Sequence, residues 1–346
     1  MDILVFSCGV TILLMLYSDL FYTTLSTNGA GVISGFISRN IWKIILFLKN
    51  KLKADLLKFG GIMILLSIFI SWIMMAWAGY SLIYQLDPSN IFNTKSDAPA
   101  SFWDKWYYAG YTLSTLGYGD FYVEKTGWKL FSVITSLSGL SIVTIAITYL
   151  IQVISSEIAQ RQLALHISTF GQSSEEILIN ILKENGSVNL QSQFESISLQ
   201  VLSHSQHMLA YPVIHYFHAS KLRDSAAINL AILDEALSIL LIVQTKEEFN
   251  SNVKYTSLRK SLTVYLQTME DGEFVKPANI APAIPDLTAL LKLEAFEVPT
   301  ANLIKRGYDS LEYRRKIWKS IIEHNGRNWN DLYIRRNKKS LDIENV

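Results

Sequence analysis

The segment Ser101-Phe-Trp-Asp-Lys-Trp-Tyr-Tyr-Ala-Gly-Tyr-Thr-Leu-Ser-Thr-Leu-Gly-Tyr-Gly-Asp120 decides the fold. It is too short and too polar to cross a bilayer as two helices, because each crossing takes about 20 predominantly apolar residues. It can instead enter and leave from one side, which requires its non-helical backbone to face protein or a water-filled path. Ser101 is placed to cap a helix ending near Ser114, whose C-terminal dipole favours a cation beyond it. The run Thr115-Leu116-Gly117-Tyr118-Gly119 then has residue types suited to one task. A dehydrated cation needs oxygens in place of its water shell, and consecutive backbone carbonyls supply them if all turn toward one axis. An ordinary strand alternates its carbonyls. Aligning them needs left-handed backbone angles, which glycine adopts without a steric penalty, so Gly117 and Gly119 stand where the backbone must be unusual. The Thr115 hydroxyl adds an oxygen at the inner end, and the Leu116 and Tyr118 side chains point away to pack behind the carbonyls.

The flanks fit this reading. Ile3–Leu25, Gly61–Tyr84 and Trp128–Ile154 are each long and apolar enough to span a bilayer. The first lacks the basic start and the small-residue cleavage site of a signal peptide, so it is expected to remain in the mature protein. Between the first two spans lie Arg39, Lys43, Lys49, Lys51, Lys53 and Lys58 against Asp55 alone, which places that segment inside. Within it, Phe36–Leu48 mixes Trp42, Ile44, Ile45 and Phe47 with Arg39 and Lys43, the pattern of a helix lying among lipid headgroups. The N-terminus is then outside and everything after the third span is cytoplasmic. Asp19, inside the first span, is costly enough there to be read either as functional or as a carboxylate near the inner interface or paired with a neighbouring helix.

Composition agrees. Of the 346 residues, 50% are hydrophobic and 18% charged, against roughly 25% charged in an ordinary soluble domain. Residues 1–160 hold 10 Lys/Arg and 9 Asp/Glu, whereas 161–346 hold 21 of each. A net charge of +1 offers no basic excess for nucleic acid. The single cysteine, Cys8, excludes a disulfide framework.

Span, pore helix, Thr-Leu-Gly-Tyr-Gly-Asp and span together resemble the prokaryotic potassium-channel pore family over about residues 59–156. The family signature has Val where this chain has Leu116, and since that residue contributes a carbonyl, selectivity for potassium should persist. The resemblance implies an all-α membrane protein, a tetrameric pore-loop channel with K+ as permeant ion and no cofactor. With one signature per chain, four carbonyl columns require a homotetramer. The filter is Thr115 to Gly119, with Asp120 at its mouth. Where a well-studied member has a tryptophan bonding that aspartate, this chain has Tyr107, and where it has a pore-helix carboxylate, this chain has Tyr111. A phenol can donate to Asp120, but a shared-proton carboxylate pair cannot form. Gly139 occupies the family's hinge position, with close helix packing as the competing role. Leu140, Val143, Ile147 and Ile151 fall on one face and would line the cavity, with a hydrophobic gate at Ile147 or Ile151. Glu157 is either part of an acidic ring at the inner mouth or a solvated helix charge.

The organisation expected from the sequence is an N-terminal span in 1–27, a basic interfacial segment in 28–58 and a pore domain in 59–156. That domain divides into an outer helix 61–84, a pore helix 101–114, a filter 115–120 and an inner helix 128–154. The inner helix extends through 157–171 to Gly171. A helical cytoplasmic domain follows in 172–271, in which Ser173-Ser-Glu-Glu opens a helix ending at Gly186, and Ser225–Val243 is a long apolar-striped helix. Residues 272–286, with Pro277, Pro282 and Pro285, read as a linker to a basic helical tail at 287–346. In that tail Arg314-Arg-Lys316 and Arg335-Arg-Asn-Lys-Lys339 are either solvated or in contact with anionic lipid or a partner. His204/His207 and His215/His218 would each put two rings on one helix face, either to hold zinc or sense pH, or simply to pack. No helix carries arginine at every third position, so no voltage sensor is expected, and no Gly-x-Gly-x-x-Gly, P-loop or EF-hand motif supplies a regulatory ligand. No Ser-His-Asp arrangement suggests an enzyme. A transporter subunit and a scaffold tetramerised by a vestigial pore are the competing functions. Related transporters string four degenerate units on one chain, and an intact Gly-Tyr-Gly argues against decay.

Overall fold

The computed structural model describes residues 2–27, 29–52, 56–183, 188–243, 253–285 and 301–332. Eleven α-helices and one two-stranded antiparallel sheet are found among them. The chain divides into two compact units, one of Met1–Ile45, Gly60–Ile154 and Ala210–Val213, the other of Leu46–Phe59, Ser155–Leu209 and Ile214–Val346.

The first unit contains α1 (Asp2–Leu25), most of α2 (Val32–Leu52), α3 (Gly60–Tyr84), the short α4 (Phe102–Leu113) and the first part of α5 (Thr126–Phe170). Among the described residues, Ile3–Leu25, Leu57–Tyr84 and Thr126–Phe170 are the three helical stretches long and apolar enough to cross a membrane. At 1.5 Å per residue α5 is about 67 Å long, more than twice a hydrocarbon core, so only part of it can lie in lipid. Strands β1 (Ile91–Asn93) and β2 (Phe121–Val123) pair antiparallel, Ile91 with Val123 and Asn93 with Phe121, and join the loop before α4 to the strand that leaves it.

Asp19 is buried and acts as a capping group. Its Oδ1 accepts from the Ile33 and Ser34 backbone N–H groups at 2.8 and 3.1 Å, and its Oδ2 from the Ser34 hydroxyl at 2.5 Å and the Trp72 indole at 2.9 Å. One carboxylate thus satisfies the orphan donors that begin α2 and ties α1, α2 and α3 together.

The second unit is built around α8 (Ala226–Val243), packed by α6 (Ser174–Lys183), α7 (Val188–Ala210), α9 (Val253–Asp271), α10 (Ala301–Ser310) and α11 (Glu312–His324). At the start of α6 the Ser173 hydroxyl accepts from Glu176 N, and the Glu176 carboxylate accepts from Gln172 N, one residue before the cap. Gly186, its expected end, lies outside the described residues. Three expectations change. The helix in Ser225–Val243 is buried from Ala226 through Leu240, polar residues included, so it is enclosed on all sides instead of striped. The proline-rich segment is a strap along α11: Ala278 N donates to Lys316 O, Arg315 to Pro282 O and Ala283 O, and Lys319 to Ile280 O. The helices beyond it enter the same core through Tyr308, Ile317, Trp318 and Ile321, so no boundary separates a tail unit. Nor is Arg314-Arg-Lys316 a solvated charge run. Arg314 reaches Asp234 at 2.5 Å, and Arg315, 2% exposed, reaches Glu235 at 3.1 Å. The second basic run, Arg335–Lys339, lies outside the described residues.

Asp234 also takes bonds from Arg259 at 2.6 Å and the Trp318 indole at 2.8 Å. Burial alone would raise its pKa, but the guanidinium groups of Arg259 and Arg314 outweigh burial and hold it below the usual carboxylate range. A depressed folded pKa gives stability that is present above the unfolded value and is lost as pH falls through the folded one. Asp234→Ala strands two half-buried arginines and is expected to cost about 3–5 kcal/mol. The check is the unfolding midpoint of the full chain in detergent, with the wild-type advantage over Asp234→Ala shrinking as pH drops below about 4.

Candidate functional site

The re-entrant segment is fixed at its start by a reciprocal cap. The Ser101 hydroxyl accepts from Asp104 N at 3.3 Å, and the Asp104 carboxylate accepts from Ser101 N at 2.9 Å. Ser101 is where the sequence put it; Asp104, its partner, fits the box spacing but was not singled out. At the far end Thr115 N donates to Thr112 O and Leu116 N to Tyr111 O, closing α4 just before the candidate filter.

Through that filter the sign of φ alternates. Thr115, Gly117 and Gly119 have φ of 61°, 56° and 78°, while Leu116 and Tyr118 do not enter the positive region. Alternation of this kind turns successive peptide carbonyls toward one side. Gly117 and Gly119 were expected in this state. Thr115 was not, because a β-branched residue at positive φ costs roughly 1–2 kcal/mol and nothing in its side chain signals that it will be held there. The carbonyl oxygens of Thr115, Leu116, Gly117 and Tyr118 accept no hydrogen bond among the described residues. Gly119 O does, from the Thr94 hydroxyl at 2.7 Å.

Aromatic rings stand behind this backbone. Tyr107 donates to Asp120 Oδ2 at 3.0 Å, and Tyr111 donates to Phe121 O at 3.2 Å. The Tyr118 ring lies parallel to Tyr107, 6.4 Å between centroids and 7° between planes, and meets Tyr111 edge-on. Leu116 and Tyr118 are nonetheless 59% and 62% exposed on the single chain.

Polar contacts lock α4 between the two long helices. Tyr84 and Tyr108 share the Ser132 hydroxyl at 3.0 and 2.8 Å, and the Trp77 indole donates to Trp106 O at 2.9 Å. Lys105, 3% exposed, donates through Nζ to Tyr84 O at 3.2 Å and Asp87 O at 2.7 Å, satisfying carbonyls at the end of α3. A lysine in a pore-loop helix reads in sequence as a surface charge, and only its tertiary position shows this capping role. Gly139 lies in an unbroken stretch of α5, and a Cβ there would fall 1.8 Å from Leu113 O. What the structure displays at Gly139 is therefore close packing against the last turn of α4. Beside this contact an apolar cavity of about 270 Å³ is bordered by Ile73, Trp77, Gly110, Leu113 and Val143.

Leu140, Val143, Ile147 and Ile151 form an exposed stripe on α5, while Ile142, Ala146, Tyr149 and Val153 bury the opposite face. Glu157 is half-buried with Oε2 shielded and unbonded, which is not the setting of a freely solvated charge. The histidines do not assemble. His204 and His207 share α7, but His215 lies in the 3-10 turn Pro212–Tyr216 and His218 beyond it, so the second pair has no common helix face. His204 stacks on Tyr265 and His215 on Phe274, and burial pushes both imidazoles down to about 3, leaving them neutral at physiological pH. Among the described residues no three His, Cys, Asp or Glu side chains are grouped to hold a metal ion.

Residues 67–156 match the Ion_trans_2 family model, described as "Ion channel". With the short α4 between two long apolar helices, this part of the chain is similar to an ion-channel pore domain, and the chain carries helices long and apolar enough to cross a membrane. A curated relative, the "Uncharacterized membrane protein YdjJ" of Bacillus subtilis (strain 168), is 29% identical over 314 residues, which cover 90% of this chain and 91% of that protein. No solved structure matches the chain.

Two substitutions test the geometry. Gly139→Ala pushes α5 off Leu113 O and is expected to lower stability by about 1–3 kcal/mol, read from thermal unfolding in detergent; a pure hinge would leave the unfolding temperature unchanged. Tyr107→Phe removes the donor to Asp120 and is expected to speed the decay of current in reconstituted membranes; decay identical to wild type would remove the tether.

Proposed function

We propose that the protein is a potassium-selective channel that conducts K+ passively through a homotetrameric pore. The observation that carries this reading is the run of unbonded carbonyls at Thr115 to Tyr118 on a backbone of alternating φ. Unbonded carbonyls are costly at membrane depth, and a cation stripped of water is the partner such oxygens suit. One chain presents a single column of them, so four copies around an axis complete a cage, and the exposed Leu116 and Tyr118 side chains become surfaces for neighbouring copies.

In this reading Asp120 stands at the outer mouth with Tyr107 and Tyr111 behind it. Leu140, Val143, Ile147 and Ile151 line the cavity, with closure by dewetting at Ile147 or Ile151 and Glu157 beyond it toward the cytoplasm. Gly139 serves bending in addition to packing. The basic run Arg39–Lys58 sets the N-terminus outside and the second unit inside the cell, in the cell membrane. Gating comes from the second unit, because α5 runs without a break from the pore domain into it and a helix transmits displacement along its length.

Purified protein in liposomes with opposed K+ and Na+ gradients provides the test. The reversal potential is expected close to the potassium equilibrium. A value midway between the two ions' equilibria would defeat selectivity, and a monomer by mass measurement in lipid would defeat the assembly.

A further inference from the structure

The hairpin that precedes α4 touches the candidate filter at one atom pair. Thr94 follows β1 directly, and its Oγ1 donates to Gly119 O at 2.7 Å while its backbone N donates to Asp120 O at 2.9 Å. The loop carrying it is closed on itself by the Phe92 to Pro99 bridge and held to the exit strand by the β1/β2 ladder and by the Tyr122 hydroxyl on the Asp97 carboxylate. Thr94 is therefore presented by a braced element. The contrast along the filter is sharp: the carbonyls from Thr115 to Tyr118 accept nothing among the described residues, and Gly119 O alone is already engaged.

A carbonyl oxygen that accepts a hydroxyl bond has one lone pair committed and its direction fixed. On the reading of 115–119 as a potassium filter, on which this inference rests, Gly119 O is the outermost of the five. We propose that Thr94 is a positioning residue for the filter. Its hydroxyl pins the Gly119 carbonyl sideways, so the outermost cation site is weaker than the sites built from Thr115 to Tyr118, and the hairpin sets how readily an ion enters or leaves there. Thr94→Val removes the hydroxyl at nearly constant shape and frees that oxygen for the ion. Thr94→Ser keeps it.

Full-length protein in lipid bilayers, labelled with ¹³C at backbone carbonyls, tests this by solid-state NMR as sodium is exchanged for potassium. In wild type the carbonyls of Leu116, Gly117 and Tyr118 are expected to shift with the exchange and Gly119 to stay nearly still. In Thr94→Val the Gly119 signal should move with the others, and in Thr94→Ser it should behave as wild type. In liposomes Thr94→Val should change the external potassium concentration for half-maximal inward current by roughly three- to tenfold, the range one hydrogen bond of ordinary net strength corresponds to, with the potassium-to-sodium reversal potential unchanged. A Gly119 signal that responds alike in wild type and Thr94→Val overturns the latch while leaving the filter intact. If no carbonyl from 115 to 118 responds to potassium, the filter reading fails, and the latch fails with it. Unchanged 116–118 signals in sodium show that the variant has kept its fold.

Discussion

Four consecutive carbonyl oxygens without hydrogen-bond donors, at Thr115 to Tyr118, are an arrangement that a polypeptide relaxes whenever it can. Rotation of any one peptide would bring its oxygen toward a donor and turn its N–H inward. The scaffold must therefore hold the segment from all sides except the open one, and the first unit can be understood as that support. The Ser101/Asp104 box fixes where α4 begins, and Lys105 fastens its first turn to the end of α3. Tyr84 and Tyr108 meet on Ser132, so α3, α4 and α5 share one hydroxyl. Tyr107, Tyr111 and the β1/β2 pair secure the exit at Asp120 and Phe121. These supports are largely phenols, hydroxyls and indoles, which provide directional bonds at membrane depth without the desolvation cost of a charge.

Two of the buried carboxylates are saturated with donors. Asp19 in the first unit and Asp234 in the second each receive several donors, and in both an indole N–H completes the set, from Trp72 and Trp318 respectively. An ionised carboxylate accepts but cannot donate, so it gathers N–H and O–H groups from whatever elements can reach it. In α1 that gathers the start of α2 and the middle of α3. In α8 it gathers α9 and α11, with bonds spanning 25, 80 and 84 residues of sequence to Arg259, Arg314 and Trp318. The same chemistry thus closes tertiary structure in both units.

What could be read in advance follows from how local the physics is. Apolar runs of spanning length, the Ser101 cap and the two glycines of the candidate filter are written within a few residues of where they stand. The role of Arg314 and Arg315 was not visible, because a basic pair in a charged stretch looks solvated until Asp234 and Glu235 appear opposite. Residues 272–285 were read as a spacer for the same reason: proline density marks extended backbone, and only the α11 side chains that receive its carbonyls reveal a strap. Thr94 had no motif at all, since a threonine in an exposed loop becomes informative only when the strand register delivers it to Gly119.

The packing at Gly139 constrains any movement of α5. With Leu113 O sitting where a Cβ would be, the helix cannot bend or rotate at this point without either opening a gap against that carbonyl or carrying it along. Leu113 lies two residues before Thr115, and the bonds from Thr115 N to Thr112 O and Leu116 N to Tyr111 O make that last turn of α4 continuous with the candidate filter. Displacement of α5 at Gly139 and strain at the base of the carbonyl run are therefore one mechanical event. The missing side chain at this position is thus what lets α5 sit directly on the turn that leads into the candidate filter.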